Sequence, residues 1–158
     1  MTYIGIDPGA NGAICAIDDK GAILASEVFD PDVLVSTVRF LCENGQASCV
    51  LEKVGAMPGQ GVVSMFRFGE NYGYIQGVLR CFCVPYELVT PGKWKKEFSV
   101  TGDKNTSIMV CKRLFPGAVL KRTEKCKKDH DGLAEALLMA EYARRHFKFN
   151  LGAGAYDD

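Results

Sequence analysis

The chain has no Cys-x-x-Cys pair, no long apolar run, a single tryptophan and no net charge. Each shortage removes a class of protein. Seven cysteines are an odd number, and Cys81 and Cys83 are only two apart, so neither a zinc ribbon nor a disulfide scaffold is expected. Cys15, Cys49, Cys81 and Cys83 sit inside apolar runs, where cysteine behaves as a small hydrophobe, and reduced structural thiols are expected. No stretch approaches the roughly 20 apolar residues that cross a bilayer, and the N-terminus lacks the basic and apolar regions of a secretory leader. The expectation is a cytoplasmic protein with no membrane partner.

What is present is ordinary for a globular domain. The 158 residues are 47% apolar and 24% charged, enough for one domain with its own core. That domain is expected over residues 1–149, followed by a Gly-rich, acidic, disordered tail over 150–158. Zero net charge conceals an asymmetry: between Lys93 and Lys128 there are eleven Lys or Arg against three acids. Such a split suggests a basic surface facing a polyanion, with carboxylates gathered elsewhere; a merely solvated basic face is the bland alternative.

The first carboxylate stands at the end of Tyr3-Ile4-Gly5-Ile6-Asp7, a β-branched run that turns at Pro8-Gly9. It reads as a buried strand delivering Asp7 to the rim of a sheet. Gly12–Ile17 is a second strand, and Asp18-Asp19-Lys20-Gly21 turns into a third over Ala22–Val28. Asp30 caps a helix with Pro31 in its first turn, and Glu43-Asn44-Gly45 ends it. Ser48–Val54 is a fourth strand carrying Glu52, which lies near Asp7 if the two strands pair.

A long helix is expected from about Ser64 to Phe82, with Gly69, Gly73 and Gly77 at every fourth position. Each glycine costs about 1 kcal/mol of helix propensity against alanine, so this flat face needs close packing against the sheet or a second copy of the chain. Cys83–Val89 reads as a fifth strand. It leads into Thr90-Pro91-Gly92-Lys93-Trp94-Lys95-Lys96, where lysines offer charge to phosphates and the indole either stacks on a base or anchors its loop to the core. A helix starting at Asp103 or Asn105 carries Lys104, Lys112 and Arg113 and stops at Phe115-Pro116-Gly117. A basic loop with Lys121, Arg122 and Lys125 precedes a last helix that opens Asp129-His130-Asp131-Gly132 and continues through Ala140.

Asp131 and Glu135 are four apart and share one face of that last helix. Either they suit the positive helix end or something cationic sits between them. Together with Asp7 and Glu52 they form an all-oxygen set suited to Mg2+ or Mn2+ rather than zinc. Two such ions roughly 4 Å apart serve phosphodiester hydrolysis.

These motifs in order, Ile4-Gly5-Ile6-Asp7-Pro8-Gly9, Leu51-Glu52, the Gly69-to-Leu79 helix, Trp94-Lys95-Lys96, Leu114-Phe115-Pro116 and His130–Leu137, resemble the RuvC family of Holliday junction resolvases, above all its compact bacteriophage forms. The likeness runs from Tyr3 to Tyr142. It implies an α/β, ribonuclease-H-like mixed five-stranded sheet flanked by helices. It implies an Mg2+-dependent endodeoxyribonuclease, with Mn2+ able to substitute, working as a homodimer on four-way or other branched DNA in recombination and repair. Each subunit would nick one of two opposed strands, leaving 5′-phosphates; a phage-encoded protein would work in the host-cell cytoplasm.

Carried over by position, Asp7, Glu52, Asp131 and Glu135 are the catalytic metal ligands and Lys104 assists catalysis. Lys93, Trp94, Lys95, Lys96, Lys112, Arg113, Lys121, Arg122 and Lys125 would contact DNA. Two departures stand out. Many relatives space the last two acids by three, and here Gly132 fills that place, so Asp129 or His130 is an alternative to Asp131. The aromatic that follows the strand-end Glu in many relatives is also missing, leaving Met57, Phe66 or Phe68 to unstack a junction. Competing readings are an actin-like phosphotransferase, which needs a second phosphate-binding Asp-Gly loop and a second domain that 158 residues do not accommodate, and a noncatalytic branched-DNA-binding protein retaining the fold.

Overall fold

Alternation along two neighbouring strands decides which side of the sheet carries the chemistry. In the computed structural model, which describes residues 1–55, 59 and 61–147, β1 (Thr2–Asp7) pairs antiparallel with β2 (Ala13–Asp18) and parallel with β4 (Ala47–Glu52). β3 (Ile23–Val28) continues the antiparallel side and β5 (Tyr86–Val89) the parallel side, giving the order β3-β2-β1-β4-β5. This is the expected mixed five-stranded sheet.

Side chains of successive strand residues point to opposite faces. Ile4 and Ile6 of β1, with Cys49 and Leu51 of β4, enter one core beneath α1 (Pro31–Glu43) and α2 (Val62–Cys81). Tyr3 and Val50 enter the other core, beneath α3 (Pro91–Glu97), α4 (Lys104–Leu114) and α5 (Asp131–His146). By the same period Asp7 and Glu52 face the α5 side. Ile6 stands opposite Leu51 in the parallel register, so the two acids end neighbouring strands.

α5 is buried from Gly132 to Ala143 apart from Glu135, and it crosses β1 closely. Gly5 permits the crossing: a Cβ there would lie 2.1 Å from the Ala136 carbonyl oxygen. Gly132 does the same at the helix start, where a Cβ would lie 2.3 Å from the Asn11 carbonyl oxygen. A strand glycine without a turn to make is a mark of such backbone approach.

Several expectations shift. The Pro91–Glu97 segment is a helix rather than a loop, with Pro91 in its first turn. β5 starts at Tyr86 rather than Cys83, because Cys83 takes φ +54° in the turn that leaves α2. Cys15, Cys49 and Cys111 are buried free thiols, but Cys81 and Cys83 are exposed, since they lie at that turn rather than in a strand. Gly69, Gly73 and Gly77 do not pack against the sheet. A Cβ on any of them would meet nothing within 4 Å among the described residues. Met57 and the 150–158 tail lie outside the described residues.

Candidate active site

The four acids come together from three elements. Asp7 sits where β1 ends, with its Oδ1 accepting from the Gly9 amide at 2.9 Å. Burial pushes its carboxyl up to about 7, and Glu52, Glu135 and Asp131 all add to that rise. A carboxylate repelled by three others shares their neighbourhood. Glu52 is buried at the end of β4, and burial raises its pKa as well. Its Oε1 accepts from Trp94 Nε1 at 2.9 Å.

Across the sheet face, α5 supplies the other two. Glu135 Oε1 accepts from Ser107 Oγ at 3.0 Å and pairs with Lys95 Nζ at 3.1 Å. Asp131 Oδ2 pairs with Lys104 Nζ at 2.5 Å. Burial opposes the Asp131 charge, but the Lys104 ammonium outweighs it and holds the carboxyl below its usual range. The alternatives to Asp131 are otherwise engaged. Asp129 is clamped by Lys112 and Lys121, at 2.5 and 2.8 Å. His130 caps α5, its Nδ1 accepting from the Leu133 amide at 3.3 Å.

Among the described residues no three His, Cys, Asp or Glu side chains converge closely enough to hold a metal ion as they stand. Lys95 and Lys104 each draw an acid toward an ammonium, which places positive charge where four carboxylates need it. The donors are nonetheless all carboxylate oxygens. Among the described residues, hydrogen bonds or ion pairs to other side chains or to backbone amides of other residues engage only Oδ1 of Asp7, Oε1 of Glu52, Oδ2 of Asp131 and Oε1 of Glu135. One oxygen of each acid is left over, and such a set fits a hard dication.

The basic residues divide into two groups. Lys96, Arg113, Arg122 and Lys125 are exposed and make no ion pair among the described residues, so their charge is open to phosphates. Lys93 pairs with Glu87, Lys95 with Glu135, and Lys112 and Lys121 with Asp129. Trp94 corrects an expectation. Its ring is 0% exposed, so it presents no face to a base and instead anchors α3 while holding Glu52. Ser107, also fully buried, was not singled out by the sequence, which gives a mid-helix serine no distinguishing signal.

A shallow cleft with Ala10 in its wall is lined also by Lys53, Met65, Arg67, Phe68 and Asn71. Phe68 is half-buried in that cleft, whereas Phe66 is 67% exposed on the outside of α2.

No protein-family model matches the chain, and no curated protein does. Solved structures do. The chain is similar to the Thermus thermophilus RuvC structure, with a TM-score of 0.58 at 20% identity, covering 92% of this chain and 96% of that one. It is similar also to T. thermophilus RuvC in complex with Holliday junction substrate, with a TM-score of 0.62 at 18% identity and the same coverage. The fold is that of these RuvC structures, the ribonuclease-H-like arrangement expected from the motifs.

Proposed function

We propose that the chain is a divalent-cation-dependent endonuclease that nicks branched DNA, with the four-way junction as substrate and a homodimer as the working unit. The observation that carries this reading is the gathering of Asp7, Glu52, Asp131 and Glu135 from β1, β4 and α5 at one end of the sheet. Repelling carboxylates are costly to collect, and ligation of a cation repays the cost. Mg2+ suits an all-carboxylate set, with Mn2+ able to substitute. When bound, such cations supply an activated water and a stabilised leaving oxygen for phosphodiester hydrolysis.

The remaining work falls to this chain's own side chains. Asp7 and Glu52 are fixed by strand ends, so their oxygens keep their positions as substrate arrives. The Lys104 side chain is 72% exposed with its ammonium at the site, and it is free to swing from Asp131 to a phosphate oxygen. Lys96, Arg113, Arg122 and Lys125 neutralise the backbone of the arms. Phe68, in the cleft with Lys53 and Asn71, would wedge against a base at the branch point. Dimerisation through α2 accounts for its outward glycines and for Val62, Val63 and Phe66, which stand exposed on a 20-residue helix.

The test is cleavage of a labelled synthetic four-way junction in Mg2+, beside a fork and a linear duplex. Paired, symmetric nicks in the junction alone are the expected result. Equal cutting of every branched substrate keeps the metal chemistry and removes the junction preference. Binding without cutting, in Mg2+ and in Mn2+, favours the noncatalytic branched-DNA-binding protein instead.

A further inference from the structure

The two glutamates of the cluster are each held by a donor that belongs to no part of the cluster itself. Trp94 Nε1 donates to Glu52 Oε1 at 2.9 Å, and Ser107 Oγ donates to Glu135 Oε1 at 3.0 Å. Both donors are 0% exposed. They come from different helices, α3 and α4, which pack on the same side of the sheet as α5. Neither is charged, so neither competes with a cation in the way an ammonium does.

The arrangement fixes rotamers as well as charge. A glutamate has three side-chain torsions and loses much freedom when its carboxylate is pinned. One bond to one oxygen restricts the rotation of the carboxylate, and among the described residues it leaves Oε2 without a hydrogen-bond or ion-pair partner. The indole has a single N–H and cannot accept, so toward Glu52 it acts only as a donor to Oε1. Lys95 adds to the same layer: its ammonium lies 5.1 Å from the centre of the Trp94 ring and 3.1 Å from Glu135 Oε1, linking the two glutamates.

We infer that Trp94 and Ser107 are positioning residues for the cation site, a layer of neutral buried donors that sets the orientation of Glu52 and Glu135 and thereby the affinity for the divalent ion. The inference rests on the reading of the four acids as cation ligands. Outer-layer partners of ligating side chains typically contribute 10–100-fold in metal affinity. Trp94 is the chain's only tryptophan, which also makes it a built-in reporter. An ion on Glu52 lies one residue away from the indole, close enough for Mn2+ to quench it.

The experiment uses Mn2+ alone, without DNA. Wild-type protein is titrated while tryptophan emission and the thermal midpoint are recorded, and Trp94→Phe and Ser107→Ala are titrated by thermal midpoint. In wild type, Mn2+ quenches emission and raises the midpoint, and both effects disappear in Asp7→Asn. Both positioning variants need about tenfold or more Mn2+ for the same stabilisation. Their junction binding in EDTA equals wild type, and excess Mn2+ restores cutting, a rescue that damaged folding would not permit. If Trp94→Phe does not fold, Ser107→Ala carries the same expectation by itself. A folded variant with the wild-type Mn2+ midpoint overturns the inference while leaving the four-acid site standing. Wild-type protein with no Mn2+ response at all overturns both.

Discussion

Asp7 shows at the scale of one residue how this site works against the stability of its own domain. Its folded pKa of about 7 lies well above the ordinary 3.8, first because it is buried and then because three acids surround it. Between pH 4 and 7 the folded, cation-free chain therefore holds a proton that the unfolded chain has released. Stability contributed by that proton is complete below about pH 4, falls as pH rises to 7, and then levels off. Asp7→Asn keeps the acceptor for the Gly9 amide but has no charge to bury. In EDTA it is expected to be more stable than wild type at pH 8, by up to about 4 kcal/mol, with the gain shrinking toward pH 4. Urea denaturation at the two pH values measures it, and a gain independent of pH would remove Asp7 from the cluster. The acids themselves were legible because Asp7 and Glu52 end strands, Asp131 begins a helix, and Glu135 shares its face four residues on. The role of Trp94 was not, since a tryptophan between lysines reads equally as a stacking platform and as an anchor; only its burial separates the two.

At the scale of elements, the decisive contact is α5 across β1. The periodicity of Leu133, Ala136, Leu137 and Ala140 announced a buried helix, and those residues are buried. That this helix rests directly on β1 follows from Gly5, which sequence reading passed over inside an apolar run. Gly5→Ala forces a methyl into the Ala136 carbonyl, and a loss of about 1–3 kcal/mol is expected in urea denaturation. Cation affinity falls with it, because Asp131 and Glu135 ride on the displaced helix. α2 presents the opposite case. Its glycines spaced by four were visible in the sequence as a flat face, but not which surface would cover it, and among the described residues none does. If a second copy covers it, Phe66→Glu converts a dimer to a monomer in sedimentation velocity without lowering the thermal midpoint measured on the monomer. A wild-type protein that sediments as a monomer at all concentrations would discard the α2 seam.

At the scale of the whole molecule, zero net charge resolves into a cluster of acids beside a basic surface. α3, α4 and the following loop bring Lys96, Arg113, Arg122 and Lys125 to the side of the sheet that carries the acids. Removing two of these, as in Arg122→Ala with Lys125→Ala, is expected to weaken junction binding in EDTA and to reduce the slope of log affinity against log salt by nearly two. The same double change at Lys112 and Lys121 is expected to affect the slope less, because those charges already neutralise Asp129. The hairpin-linked strands β1, β2 and β3 were readable from their turn residues, whereas the pairing of β4 beside β1, on which the meeting of Asp7 and Glu52 depends, was left open by the sequence. The charge pairing was not, because it depends on which side chains the tertiary fold sets opposite each other.

The most direct measurement takes the four acids as one centre: junction cleavage in Mg2+ by Asp7→Asn, Glu52→Gln, Asp131→Asn and Glu135→Gln, each paired with junction binding in EDTA. These isosteric changes remove charge and keep shape. The expected result is loss of cutting in all four, exceeding the roughly 100-fold that an outer-layer partner contributes, with binding equal to or tighter than wild type. Cutting that survives in Asp7→Asn or Glu52→Gln would contradict a carboxylate-bound cation at this end of the sheet, whatever the fold.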